Sequence, residues 1–262
     1  VGDICPPGEE GKWMGYANAA FFSGFGFGPL IGGVLSEHLG IDAAFLAMGV
    51  LSLLAFAIVI FFLPAIKPKQ SATSYPSFRE MSRSDMVIAL FSFRLTLTMG
   101  RSIFFIFLPI LAANSLGLRP SQIGILLAVN ILLMSLLGIP SGRIADHLNR
   151  RILVVGGCLV SSIFLMVVPL GNTFGLLLAI AGLGSVGNAI AITAASALAV
   201  EQGRKYGMGS SIALFSMAFS IGMVVGPIAG GAIADFAGIN SAFYFGVMIT
   251  LVGASLFTWF SR

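Results

Sequence analysis

Two arginines, Arg94 and Arg101, stand inside a long apolar run and are the most chemically pointed residues of this sequence. A charged guanidinium at the centre of an apolar span costs about 2.5–3.5 kcal/mol even on the mildest insertion scales, so it is kept for a counter-ion, a watery cavity or an anionic ligand. The two are seven residues apart and so share one face of a helix. None of the ten acidic residues lies at comparable depth. The partner is therefore either a carboxylate from elsewhere or an anionic substrate. Arg94, nearer the basic end of its run, could also snorkel to the interface. Three amides, Asn18, Asn130 and Asn188, lie in the middle of apolar runs and could line a cavity or bond between helices. Phe22 and Phe105, with Phe21, Phe104 and Phe107 beside them, could offer an apolar ligand surface.

A second polar constellation is the turn carrying Gly142, Ala145, Asp146, Arg150 and Arg151. A carboxylate held in such a turn suits the positive end of a neighbouring helix. Contacts of that kind gate conformations and perform no covalent chemistry. Bond-making machinery is not in view. His38 and His147 fall at opposite ends of the expected spans, and Cys5 and Cys158 form no CxxC pair. Gly182, Gly184 and Gly187 fit GxGxxG but sit in an apolar helical run without the strand or the distant acid of a dinucleotide site. The expectation is no catalytic residue, no metal and no cofactor.

The elements that must position these residues follow from composition. Of 262 residues, 57% are hydrophobic and only 9% charged, against about a quarter in a soluble domain. That excludes soluble enzymes, nucleic-acid-binding domains and disordered tails, and makes the lipid bilayer the main partner. Apolar runs at about 13–36, 42–66, 86–113, 121–141, 151–170, 174–200, 207–235 and 240–260 predict eight membrane-spanning helices. They lack the alternation of a β-barrel strand. The fold class is all-α integral membrane.

Alternating the connections between two sides puts eleven cations on one side: Lys12, Lys67, Lys69, Arg79, Arg83, Arg143, Arg150, Arg151, Arg204, Lys205 and Arg262. Only Arg119 falls on the other. The basic side is expected to be cytoplasmic, with both termini of the chain on it and the helices in an inner (plasma) membrane. The net charge of +4 then reports orientation, and no nucleic-acid partner is needed to explain it.

The chain also repeats itself. Gly24, Gly28, Pro29, Gly32 and Gly33 match Gly222, Gly226, Pro227, Gly230 and Gly231 at a constant offset of 198, and Gly40-Ile41 matches Gly238-Ile239. Six spans separate the copies, so they run in the same direction, as in a twice-used six-helix unit. Glycines every fourth residue leave a flat groove that another backbone can approach, and a proline invites a kink there. With the first copy in the first span and no initiator Met, the arithmetic predicts an N-terminally truncated chain lacking four helices.

With these residues in hand, the sequence resembles the major facilitator superfamily, most closely its drug:proton antiporter branch. The branch signature G-x8-G-x3-G-P-x2-G-G stands complete as Gly15, Gly24, Gly28, Pro29, Gly32 and Gly33, while the second copy has Ala213 in the first place. The turn signature G-x-x-A-D-x-x-G-R-R/K appears with Asn149 for the second Gly, at a position expected to be left-handed. The resemblance implies helices 5–12 of a twelve-helix bundle. Residues 1–66 would be the last two helices of an N-terminal half, 67–85 a cytoplasmic linker, and 86–262 the C-terminal half. It further implies alternating-access transport of a small molecule, proton-coupled efflux of drugs or metabolites, by a monomer when full length. The Gly-Pro motif would seal the periplasmic side between the halves, and the Asp146 turn would face the helix starting near Lys12. Alternatives are a sugar or metabolite carrier of the same fold, or a non-transporting membrane protein.

Overall fold

The computed structural model describes residues 9–62, 81 and 83–261. Cys5, most of the expected linker with Lys67, Lys69 and Arg79, and Arg262 lie outside the described residues. Among the described residues the fold is a bundle of eight long helices. They are α1 (Glu10–His38), α2 (Ile41–Phe62), α3 (Asp85–Leu116), α4 (Pro120–His147), α5 (Arg150–Val167, continued by a 3-10 turn, Val168–Leu170), α6 (Phe174–Tyr206), α7 (Met208–Ala237) and α8 (Ile239–Phe260). Each is long and apolar enough to cross a bilayer.

Several helices overrun the apolar stretches that announce them. α4 reaches His147 and α6 reaches Tyr206, each about one turn or more into polar sequence. Apolarity marks the depth of the hydrocarbon, whereas the backbone hydrogen bonds continue into the headgroup layer. His147, Arg204 and Lys205 sit in last turns, where the helix dipole favours cations.

The turns are tight. Gly40 and Gly238, the repeat-related pair, have φ of 87° and 85°, a left-handed backbone that glycine adopts without penalty. The internal repeat thus extends to the geometry of its turn. Asn149 departs from expectation. Its φ is −62°, and it caps α5 by accepting a hydrogen bond from the Arg151 N–H at 3.0 Å. The side chain satisfies an orphan amide of the first turn, so no left-handed residue is needed.

Helices α3 to α8 enclose the core, which has two layers. One holds Phe93, Leu97, Ala191, Ala195 and Phe257. The other holds Ile103, Phe104, Leu108, Phe164 and Phe243. Small residues set the closest crossings. At Gly187 an added Cβ would lie 2.9 Å from the Gly157 carbonyl oxygen, and at Gly184 it would lie 2.6 Å from the Phe164 ring. Gly184 and Gly187 of the GxGxxG stretch are therefore part of the α5–α6 packing face, while Gly182 looks toward Leu133 of α4. α1 lies antiparallel along α4: Gly15 meets Gly138 near one end and Gly33 meets Pro120 and Gly124 near the other. α2 rests on α1 and is exposed along almost its whole length.

Candidate functional site

A cavity of about 420 Å³ opens between α1, α6 and α7, with α3 at its floor. Arg94 lines it, together with Asn18, Phe21, Phe22, Ser196 and Phe219. Arg94 is buried and does not snorkel. Its guanidinium lies over the rings of Phe215 and Phe219, with Cζ 4.8 and 4.9 Å from their centroids. Arg101 is buried half-way along α3, over Phe22 at 4.7 Å and Phe105 at 5.2 Å. Four aromatic faces thus offset part of the cost of burying two cations. Among the described residues, nothing accepts a hydrogen bond from Arg94 Nε or from Arg101 Nη1 and Nη2. Phe215 and Phe219 were not anticipated. Their spacing of four, which puts two rings on one helical face, is the signal that could have found them.

The three amides separate. Asn18 stands in the cavity wall and donates to Ser196 Oγ at 3.3 Å across the α1–α6 contact. Asn130 is buried away from the cavity. It donates to the Ala181 carbonyl at 2.8 Å, while Ser185 Oγ donates back to the Asn130 carbonyl at 2.8 Å. That exchange ties α4 to α6, so Asn130 takes the interhelical role and not the lining one. Asn188 donates to the Gly184 carbonyl within its own helix and borders a small space shared with Arg101, Ser161, Phe164 and Thr250. Of the aromatic candidates, Phe22 and Phe105 flank Arg101, whereas Phe104 and Phe107 belong to the core.

The two Gly-Pro copies are used differently. In α7, Gly222, Gly226 and Gly230 lie against α3: an added Cβ at Gly222 would fall 2.7 Å from the Leu95 carbonyl oxygen, and one at Gly226 2.6 Å from that of Met99. Ser102 Oγ donates to the Gly222 carbonyl across the same contact. In α1 the motif divides. Gly15 and Gly33 face α4, whereas a Cβ at Gly24, Gly28 or Gly32 would meet nothing within 4 Å among the described residues. Those three line an apolar groove of about 920 Å³ shared with α2. The face that meets α4 is thus set by Gly15, Gly26 and Gly33. The every-fourth-residue face points the other way, which the linear motif could not reveal.

At the basic end a charge network joins α1 to the six-helix unit. The Lys12 N–H, in the first turn of α1, donates to Asp146 Oδ2 at 2.9 Å. Arg150 bridges Asp146 at 3.2 Å and Glu10 at 2.9 Å, and Arg204 reaches Glu10 at 2.7 Å. Arg150 also touches the more exposed Glu201 at 3.5 Å. Gly142 packs beside Gly15 and allows the helices to close there. Arg151 turns away and donates to the Ser261 carbonyl. Glu10 and Arg204 complete the network and could not be read from either motif, because they are 194 positions apart in sequence.

The comparisons with known proteins agree with this architecture. The family model for the Major Facilitator Superfamily matches residues 1–97 and 90–262. An MFS-type transporter of Methanocaldococcus jannaschii is 29% identical over 96% of this chain and 67% of its own length. The multi-drug resistance efflux pump PmrA of Streptococcus pneumoniae is 29% identical over 91% of this chain and 61% of its own. The synaptic vesicular amine transporter of Rattus norvegicus is 30% identical over 94% of this chain and 47% of its own. The chain therefore spans about half to two thirds of the length of these relatives. Eight spans, the Gly-Pro repeat and the family match together place one conclusion beyond the level of resemblance: the chain belongs to the major facilitator superfamily.

Proposed function

We propose that this chain forms part of a proton-coupled exporter of small molecules that works by alternating access. The observation that carries the reading is the joint between α1 and α4. These helices meet through glycines along their length, and at the basic end α1 is held by the Lys12–Asp146 hydrogen bond to α4 and by the ion pairs of Glu10 with Arg150 of α5 and Arg204 of α6. A smooth seam closed by breakable charge contacts suits two bodies that rock against each other. The cavity beside that seam holds Arg94. The relatives named for efflux and for amine transport support movement of an organic solute.

In this reading residues 1–66 belong to one half, 67–85 connect the halves, and 86–262 form the other. Four further helices would cover the groove of Gly24, Gly28 and Gly32 and the bare faces of α2. The basic side is cytoplasmic and the membrane is the plasma membrane. The working unit is a monomer, and the coupling ion is the proton.

The test is dye movement in everted membrane vesicles containing the protein. Extrusion of a fluorescent lipophilic dye should start when a pH gradient is imposed and stop when nigericin collapses it. Movement indifferent to the gradient for every dye tried would refute proton coupling.

A further inference from the structure

Resting on the transport reading above, we infer that the cavity takes organic anions: a carboxylate or sulfonate head on a flat apolar body, with Arg94 receiving the head.

Each guanidinium lies over two rings, Arg94 over Phe215 and Phe219 and Arg101 over Phe22 and Phe105. A planar cation held this way keeps its N–H edge for a planar acceptor. Arg94 is 9% exposed and Arg101 7%. Among the described residues no acceptor meets Arg94 Nε or either terminal nitrogen of Arg101. An unmet charged donor at this depth is expensive, and an anionic ligand supplies what it lacks.

The number of charges favours a ligand over a structural counter-ion. The backbones of the two arginines are about 10 Å apart along the axis of α3, and each guanidinium rests on its own pair of rings. Of the acids that the structure describes, Glu9, Glu10, Asp146 and Glu201 are engaged at the basic end, Asp85 stands in the first turn of α3 at that same end, and Glu37, Asp42 and Asp235 stand at the opposite helix ends. Arg94 borders the open cavity. Arg101 lies deeper, covered on the α1 side by Phe22. Movement of α1 away from the six-helix unit would uncover it, and a head group met first at Arg94 would find a second cation beyond.

The cavity walls define the rest of the ligand. Phe21, Phe22, Phe215 and Phe219 present rings, and Asn18 and Ser196 supply a modest polar rim. Rings on the α1 and α7 walls and a cation at the floor match an amphipathic aromatic anion.

Equilibrium dialysis of the protein in nanodiscs tests this with three isosteric probes: 2-naphthoate, neutral 2-naphthamide and cationic 2-naphthylmethylammonium. Naphthoate should bind about tenfold or more tighter than the amide, as expected for charge-assisted hydrogen bonds. Arg94→Gln should erase that preference, bringing naphthoate down to the amide's affinity, and Arg94→Lys, which retains the charge, should keep part of it. The melting temperature of each variant serves as the folding control. Equal binding of anion and amide in the unmodified protein, tightest binding of the ammonium probe, or an anion preference that survives Arg94→Gln would each overturn the assignment. Gradient-driven efflux of a cationic dye unaffected by Arg94→Gln would leave transport standing and overturn the anion site. Arginine-dependent naphthoate binding without solute movement would support the site and remove the transport reading.

Discussion

The backbone N–H of Lys12 donates to the Asp146 carboxylate at 2.9 Å, joining the first turn of α1 to the last turn of α4. Residues 134 positions apart are thus held by the simplest electrostatic match available, an anion at the positive end of a helix dipole. Arg150 binds the other carboxylate oxygen and passes the contact on to Glu10.

Asp146→Asn keeps an oxygen near the Lys12 N–H but removes the charge. The contact should weaken by about 1–2 kcal/mol. Single cysteines on the facing ends of α1 and α4 should then react several-fold faster with a maleimide. Unchanged reactivity would show that this carboxylate does not hold the seam.

Glu10 is the more severe position. Its side chain is only 5% exposed and lies between Arg150 and Arg204. Glu10→Gln leaves two facing cations without their bridge, at a cost of about 3 kcal/mol or more. Thermal unfolding in detergent should fall clearly. A double-mutant cycle with Arg204→Gln should show strong coupling, and additive losses would argue against a shared network.

Glycine substitutions should sort by what faces them. Gly226→Ala would drive a methyl into the Met99 backbone, and Gly15→Ala would place one 2.7 Å from the Gly138 carbonyl oxygen. Each should cost about 1–3 kcal/mol by overpacking. Gly156 has nothing within 4 Å of an added Cβ among the described residues, so Gly156→Ala should be neutral or slightly stabilising. Melting temperatures of the three variants decide it, and equal losses would contradict the packing described.

The amides should separate stability from ligand handling. Asn130→Ala removes the α4–α6 tie and should lower stability by about 0.6–2 kcal/mol without altering probe affinity. Asn18→Ala, in the cavity wall, should shift probe affinity with little change in melting. The reverse pattern would exchange their roles.

Much of the molecule was legible before any coordinates. Span count and fold class follow from apolar run length, because a bilayer imposes one thickness on every crossing helix. The repeat was equally visible, since Gly40 and Gly238 must make the same left-handed turn. Arg94 and Arg101 announced themselves by the cost of burying charge. The partners of these residues were not legible. Nothing in a linear pattern tells which helix a glycine face meets, so two copies of one motif could point at different neighbours. Nor could spacing pair Arg94 with Phe215 and Phe219, or Glu10 with Arg204. Periodicity and hydropathy report what each helix asks of its surroundings, one helix at a time. Which neighbour answers depends on how all the helices pack at once, and that was decided only when the tertiary structure brought distant faces together.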